Sequence, residues 1–298
     1  MKILIRADAS SKIGTGHIMR DFVLAKRFPK ETVEFATRAL SGNLDELIQE
    51  KGFTHHSLKD NKPKTLIKLL KKNVYDLLII DHYDLDVAFE REVGTALPAL
   101  VLMVLDDNYQ RHHCDILLNH NIYAKAKYYK NLVPKNTQLL CGREYTLLRE
   151  EFLIPKNVNE RDSILIAMGG SDPRNLTVKI LRSLPKEFSL NINVITTCSN
   201  KRLSKLQTYL KDKNNIALHV QTQEVAALSQ QAHFAIITPS SLANELFALQ
   251  IPFIAIKTAK NQDYMSAFLS KCGLNVLDKF SKKAFVTVLE QEIEKVQM

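Results

Sequence analysis

The chain has 298 residues, 45% of them hydrophobic and 24% charged, which describes a soluble globular protein long enough for two cores and excludes a disordered or fibrous one. No apolar run approaches the ~20 residues of a membrane span. The net charge of +9 favours an anionic partner; the absence of a dense basic run interleaved with aromatics weakens nucleic acid as that partner, and a small phosphorylated ligand fits the moderate surplus equally well. Cys114, Cys141, Cys198 and Cys272 are scattered without paired spacing, so reduced thiols and a cytoplasmic location are expected. The first residues pass straight into an apolar run, so no signal peptide is expected.

In chain order, Ile3-Leu-Ile5 predicts a buried strand. A loop carrying Gly14 and Gly16 follows, and a helix opens at about His17 and runs on through 21–28. Next come a strand over 32–37, a polar turn at His55-His56, and helices over 42–51 and 64–72. A strand over 77–80 ends in Asp81-His82-Tyr83, and Asp84-Leu-Asp86 opens a surface helix. Strands over 100–105 and 114–118 end in Asp106-Asp107 and Asn119-His120-Asn121. Over 152–163 the pattern breaks at Pro155, Asn157 and Asn159, which predicts a linker and domains of 1–154 and 155–298.

The second half repeats the style, with strands over 164–168, 192–196, 216–220, 235–238, 252–256 and 275–277. Helices are expected from about Asn175, over 201–210, from Ser240-Ser241 to Leu249, over 261–271 and over 281–296. Continuous apolar strands alternating with helices predict α/β architecture: two Rossmann-like parallel-sheet domains facing each other across a cleft, with polar residues at the strand ends.

Several residue patterns suit chemistry. His17 in a first helical turn faces the positive end of the macrodipole, which favours the neutral imidazole that a general base needs. The competing reading is that it caps or packs. Gly14 and Gly16 permit positive φ or a close backbone approach. Gly169-Gly170-Ser171, between a strand and a helix, has the geometry of a phosphate cradle but lacks a P-loop lysine. Ser240 and Ser241 place hydroxyls at another helix start, with Asn244 and Glu245 one turn in, where a carboxylate accepts from a ribose diol; simple N-capping by Ser240 competes. Asp84-Leu-Asp86 and His112-His113-Cys114 lack partners at metal-ligand spacing, so neither metal nor cofactor is expected.

These residues also carry a resemblance. Arg6-Ala-Asp8, Gly14-Thr-Gly-His17-Ile-Met-Arg20-Asp21, Ile79-Ile-Asp81-His82-Tyr83 and His112-His-Cys-Asp-Ile-Leu-Leu-Asn119 are joined by Leu148-Arg-Glu-Glu-Phe152, Met168-Gly-Gly-Ser-Asp172, Ser240-Ser-Leu-Ala-Asn-Glu245 and Asn261-Gln262. Together they resemble the UDP-2,4-diacetamido-2,4,6-trideoxy-β-L-altropyranose hydrolases of bacterial pseudaminic acid synthesis. The resemblance implies a GT-B fold similar to that of the peptidoglycan N-acetylglucosaminyltransferase. It implies metal-free, inverting hydrolysis at the anomeric carbon, with His17 activating water and Tyr83 and Asn261 as the other catalytic residues, positioning the sugar. Gly14, Gly16, Arg20, Asp8, Asp81, Asn121 and Gln262 are then substrate-binding, with Asp8 or Asp81 orienting the imidazole. Gly169, Gly170, Ser171, Val220, Ser240, Ser241, Asn244 and Glu245 hold UDP. The expected partners are a UDP-sugar and water, with no nucleic acid or membrane and a monomeric chain.

The rival readings are a GT-B glycosyltransferase, a UDP-sugar 2-epimerase and a non-catalytic nucleotide-sugar binding module. A membrane-facing transferase would use a patch such as Lys62, Lys64, Lys68, Lys71 and Lys72, for which a solvated helix face competes.

Overall fold

The unbroken apolar runs become the centres of two sheets in a computed structural model that describes residues 1–154, 161–185 and 188–297. The chain divides into two units, Met1–Leu147 and Leu148–Met298. The first contains β1 (Lys2–Ala7), α1 (Gly16–Ala25), β2 (Thr32–Arg38), α2 (Asp45–Glu50), β3 (Thr54–Leu58), α3 (Pro63–Asn73), β4 (Leu77–Asp81), α4 (Val87–Ala96), β5 (Val101–Leu105), β6 (Ile116–Asn119) and β7 (Gln138–Cys141). Its strands are all parallel, in the order β3-β2-β1-β4-β5-β6-β7. Ile3 pairs with Val33 on one side and Leu77 on the other.

The period-2 pleat sorts β1 between two cores. Ile3 and Ile5 pack with Ile18 and Phe22 of α1, while Leu4 packs on the other face with Leu66 and Leu70 of α3 and Phe89 of α4. Pro63 begins α3, where its missing N–H costs nothing. Because the leucines of α3 turn inward, Lys64, Lys68, Lys71 and Lys72 form a solvated face. Asp86 caps α4, accepting from Ala88 N at 3.1 Å and Phe89 N at 3.0 Å.

The second unit contains β8 (Ser163–Ala167), α5 (Leu176–Leu181), β9 (Asn191–Thr196), α6 (Leu203–Leu210), β10 (Ile216–Val220), α7 (Val225–Gln231), β11 (Ala232–Ile237), α8 (Ser241–Ala248), β12 (Phe253–Ile256), α9 (Asp263–Lys271), β13 (Asn275–Leu277) and α10 (Lys282–Gln297). It is again all parallel, in the order β10-β9-β8-β11-β12-β13. Ile164, Ile166, Val194, Phe234, Ile236 and Ile254 centre its core.

Two expectations change, and two elements are new. His55 and His56 lie in edge strand β3 rather than a turn: His55 pairs in register with Phe35, and His56 Nε2 meets Glu34 Oε2 at 2.6 Å. Strand β7 and helix α7 carried no expectation at all. Of the expected linker, Pro155, Asn157 and Asn159 lie outside the described residues, while Phe152 sits buried in a 3₁₀ turn, Glu150–Phe152, under the Arg149 guanidinium at 4.7 Å. The division therefore falls between Leu147 and Leu148, before the expected boundary at Ile154. Among the described residues, no helix is long and apolar enough to cross a membrane.

Candidate active site

In the first unit, polar side chains collect at the carboxyl edge of the sheet, where helices and strands leave backbone and side chains facing outward. After β1 the chain turns through Gly14 at φ +88°, a conformation that suits glycine, and Gly14 N donates to Ser10 O at 2.7 Å. Gly16 has open space around any Cβ, so crowding does not demand a glycine there. His17, Arg20 and Asp21 then share one face of α1, at i, i+3 and i+4.

Arg20 joins the strand ends. Its Nε donates to Asp81 Oδ2 at 2.6 Å and its Nη2 to Asp81 Oδ1. Its Nη1 lies 3.2 Å from His120 Nε2 and 3.7 Å from Asp107 Oδ2. The Tyr83 hydroxyl donates to Asp107 Oδ2 at 2.8 Å, and the Tyr83 ring meets the His17 ring edge-on, with centroids 4.5 Å apart. His17, Arg20, Asp81 and Tyr83 thus form one cluster. Asn121 is buried nearby along the chain, donating to Asn119 Oδ1 from N at 3.2 Å and Nδ2 at 3.1 Å.

Asp8 serves another group. It accepts from Arg6 Nη1 at 2.6 Å, Arg38 Nε at 2.7 Å and Arg38 N at 2.8 Å. His82 Nδ1 accepts from Asp84 N at 3.0 Å, so its Nε2 carries the proton and donates to Asp8 at 2.9 Å. Asp8 therefore orients His82, not His17. Asp81 is spent on Arg20, and the buried His17 Nδ1 has no hydrogen-bonding partner. The expectation that either carboxylate orients the imidazole by a hydrogen bond is thus corrected.

Charge states follow from these surroundings. Burial pushes the His17 pKa down to about 4, with Asp81 opposing and Arg20 assisting. The imidazole is neutral near pH 7, with desolvation as the leading cause. Burial, with Arg20, takes His120 down to about 3. Burial works to raise the Asp81 carboxyl, yet the Arg20 guanidinium overrides it and holds Asp81 below the usual carboxylate range. Burial and Asp107 push the Tyr83 phenol up.

The second unit uses neutral groups. Gly169 follows β8 at φ +83°. At Gly170 a Cβ would strike Thr197 Cγ2 at 2.8 Å, and its carbonyl accepts from Thr197 N, Thr196 Oγ1 and Thr197 Oγ1, each at 3.1 Å. Ser171 does not stand at a helix start. Helix α5 begins at Leu176, and the Asp172 carboxylate already accepts from Leu176 N at 2.8 Å and Thr177 N at 3.0 Å. The helix end expected to cradle phosphate is therefore occupied, leaving the Gly169–Ser171 loop itself.

Ser240 occupies the N-cap position of α8, with Ser241 next, but its hydroxyl turns to Thr238 Oγ1 at 3.3 Å instead of capping. Glu245, 5% exposed, is held in a fork by Arg149, from Nε to Oε1 at 2.7 Å and from Nη2 to Oε2 at 2.8 Å. Each oxygen keeps a lone pair for a hydroxyl donor. Asn244 is buried beside it, and Val220 ends β10 just before Gln221, whose N donates to Thr196 O at 2.9 Å. Asn261 is exposed in the 3₁₀ turn Lys260–Gln262. Gln262 Oε1 accepts from Thr258 N at 2.7 Å and Ala259 N at 3.1 Å, so that carbonyl is committed to the turn rather than open to substrate.

Among the described residues, no three His, Cys, Asp or Glu side chains gather to hold a metal ion. His112 instead donates from Nδ1 to Glu90 Oε1 at 2.7 Å. Against the effect of burial, Asp106 and Glu90 raise its pKa to about 9.

No protein-family profile matches the chain. It is 40% identical over 282 residues to the UDP-2,4-diacetamido-2,4,6-trideoxy-β-L-altropyranose hydrolase of Campylobacter jejuni, covering 94% of this chain and 100% of that protein. The chain belongs to this hydrolase family. Two solved structures share its fold. Acinetobacter baumannii MurG is 12% identical with a TM-score of 0.66, covering 98% of this chain and 90% of that one. Anabaena HepE in complex with UDP and glucose is 11% identical with a TM-score of 0.65, covering 100% and 91%. The fold is thus GT-B, built from two Rossmann-type sheets.

Three groups in this hydrolase-family cluster escaped the sequence reading as site residues: Asp21, Asp107 and His120. Asp107 and His120 stand just past apolar strands, a position that would have flagged them. Asp21 stands inside the Gly14–Asp21 motif, where no role was assigned to it.

Proposed function

We propose that this chain hydrolyses a UDP-linked 2,4-diacetamido-2,4,6-trideoxyhexose at the anomeric C–O bond, releasing UDP and free sugar. The full-length likeness to a protein named as that hydrolase carries the reading. The neutral, buried His17 supports the role of base. Water attacks C1 and passes a proton to His17, while the C1–O bond breaks and its electron pair stays on the β-phosphate oxygen of UDP. A single displacement inverts the anomeric configuration. Asp81 and Asp8 both favour the imidazolium that forms, and Tyr83, Arg20 and Asn121 shape the sugar side.

In the same proposal the second unit holds UDP. Gly169, Gly170, Ser171, Ser240 and Ser241 offer backbone and hydroxyl donors to the diphosphate, and Glu245 with Asn244 takes the ribose. Chain near Val220 takes the base, and Asn261 keeps the role of a sugar-positioning residue that the family resemblance implies. No metal is called for in this scheme, in which these backbone and hydroxyl donors stabilise the charge that develops on the diphosphate.

The test is incubation with candidate UDP-sugars in H₂¹⁸O. Release of UDP without acceptor, with label on C1 of the sugar, is expected. Release only on adding an acceptor would make the chain a glycosyltransferase, and label in UDP would mean P–O cleavage.

A further inference from the structure

Asp21 is fully buried, and neither of its carboxyl oxygens meets a donor. Other buried carboxylates of the first unit are answered differently. Asp8 is met by Arg6, Arg38 and His82, and Asp81 by Arg20. Glu90 is met by His112, and Asp106 by the Tyr129 hydroxyl and two backbone N–H groups. An ionised carboxylate left alone in such a place takes up a proton instead. The charged and titratable groups around this cluster are Asp81 on β4, Arg20 and His17 on α1, and His120 after β6, with Arg27, just past α1, acting on His120. Arg20 has committed its donors to Asp81 and His120, so Asp81 keeps the negative charge and Asp21 keeps the proton.

We infer that Asp21 is a neutral carboxylic acid that donates a hydrogen bond to Asp81 and so acts as a positioning residue for the Asp81–Arg20 pair beside His17. The direction of its pKa agrees: burial, then Asp81, push it well above the usual carboxylate range. The role rests on His17 being the base. Asp81 is the charge that most favours the His17 imidazolium, and the Asp21 hydroxyl both fixes that carboxylate and damps its pull on the proton.

The experiment uses the whole chain carrying ¹³C-carboxyl aspartate, with Asp21→Asn assigning the Asp21 signal. The expected result is an Asp21 carboxyl that stays protonated from about pH 5 to 8, far above the ordinary value near 3.9. Asp21→Ala should lower kcat about tenfold or more, with KM moved less and the acid limb of kcat displaced upward. Asp21→Asn, which keeps an N–H donor, should restore most of kcat and return the limb. An ionised Asp21 at pH 7, or an Asn variant as damaged as the Ala variant, overturns the inference. Should the wild type release no UDP from any UDP-sugar, the hydrolase reading fails while the carboxyl signal still decides Asp21.

Discussion

The two units lay a similar parallel sheet and then furnish its carboxyl edge in different ways. In the first, that edge holds buried charges already matched: Arg6 and Arg38 on Asp8, Arg20 on Asp81, Tyr83 on Asp107. In the second it holds glycines, serines and threonines, with two buried carboxylates already engaged: Asp172 on the first amides of α5 and Glu245 on Arg149. Fixed charges in a dry setting bias the protonation of a neighbour such as His17. Neutral hydroxyls and backbone N–H groups grip an anion without competing for protons. Under the proposed function the contrast separates chemistry from grip, and it can be attacked from either side.

The largest effect is expected at His17. His17→Asn keeps size but cannot take a proton at neutral pH, so steady-state kinetics should show kcat down by about 10²–10⁴ with KM little changed. A matching loss in the second unit's loop variants would erase the distinction. Next is Arg20→Met, which leaves Asp81 buried without its partner. Denaturant unfolding should show a loss of about 3–5 kcal/mol.

The pH dependence comes third. His17 falls from 6.5 to about 4 on folding, so between those values the unfolded chain binds more protons and stability drops as the pH falls. The wild type should lose about 3 kcal/mol relative to His17→Asn across that window, while kcat holds until the pH nears the lower value. His112 works in the opposite sense. Its pKa is raised to about 9, so its contribution is complete below the unfolded value and disappears as the pH rises through the folded one.

On the gripping side, Glu245→Gln should weaken UDP by about 1.5–3 kcal/mol in calorimetry. The same change should do little to a 2′,3′-dideoxy analogue. Smallest of all is the expected effect of EDTA on activity, which is none; loss on chelation with rescue by Mg²⁺ would make Asp84 and Asp86 worth revisiting.

Much of the fold was legible because continuous apolar strands such as Leu77–Ile80 and Ile164–Ile166 admit few other readings. What escaped was amphipathic or short. Strand β3 hides its alternation behind His55 and His56, whose partners Glu34 and Phe35 lie on another strand. The site followed the same rule. Strand-end positions drew attention to Asp81 and Tyr83, and a glycine-bearing turn to His17. Whether a carboxylate is free is a tertiary fact. No local pattern could say that Asp172 spends itself on α5, that Arg149 reaches Glu245, or that Asp8 faces two arginines.

The strand order also bears on how the first unit is made. β1 lies between β2 and β4, and its far-side contact, Lys2 to Asp76, spans 74 residues. A nascent chain can zip β1 to β2 early, but the other edge of β1 stays bare until the segment through Asp81 has emerged. Such non-local closure is slow and leaves an apolar edge open to wrong partners. Arg6, Asp8 and Arg38 can meet once β2 is made, but Arg20 has no Asp81 and Asp8 no His82 before that moment. The Arg20–Asp81 and Asp8–His82 contacts therefore close only after β4 has been made, later than the Arg6–Asp8–Arg38 contacts beside them.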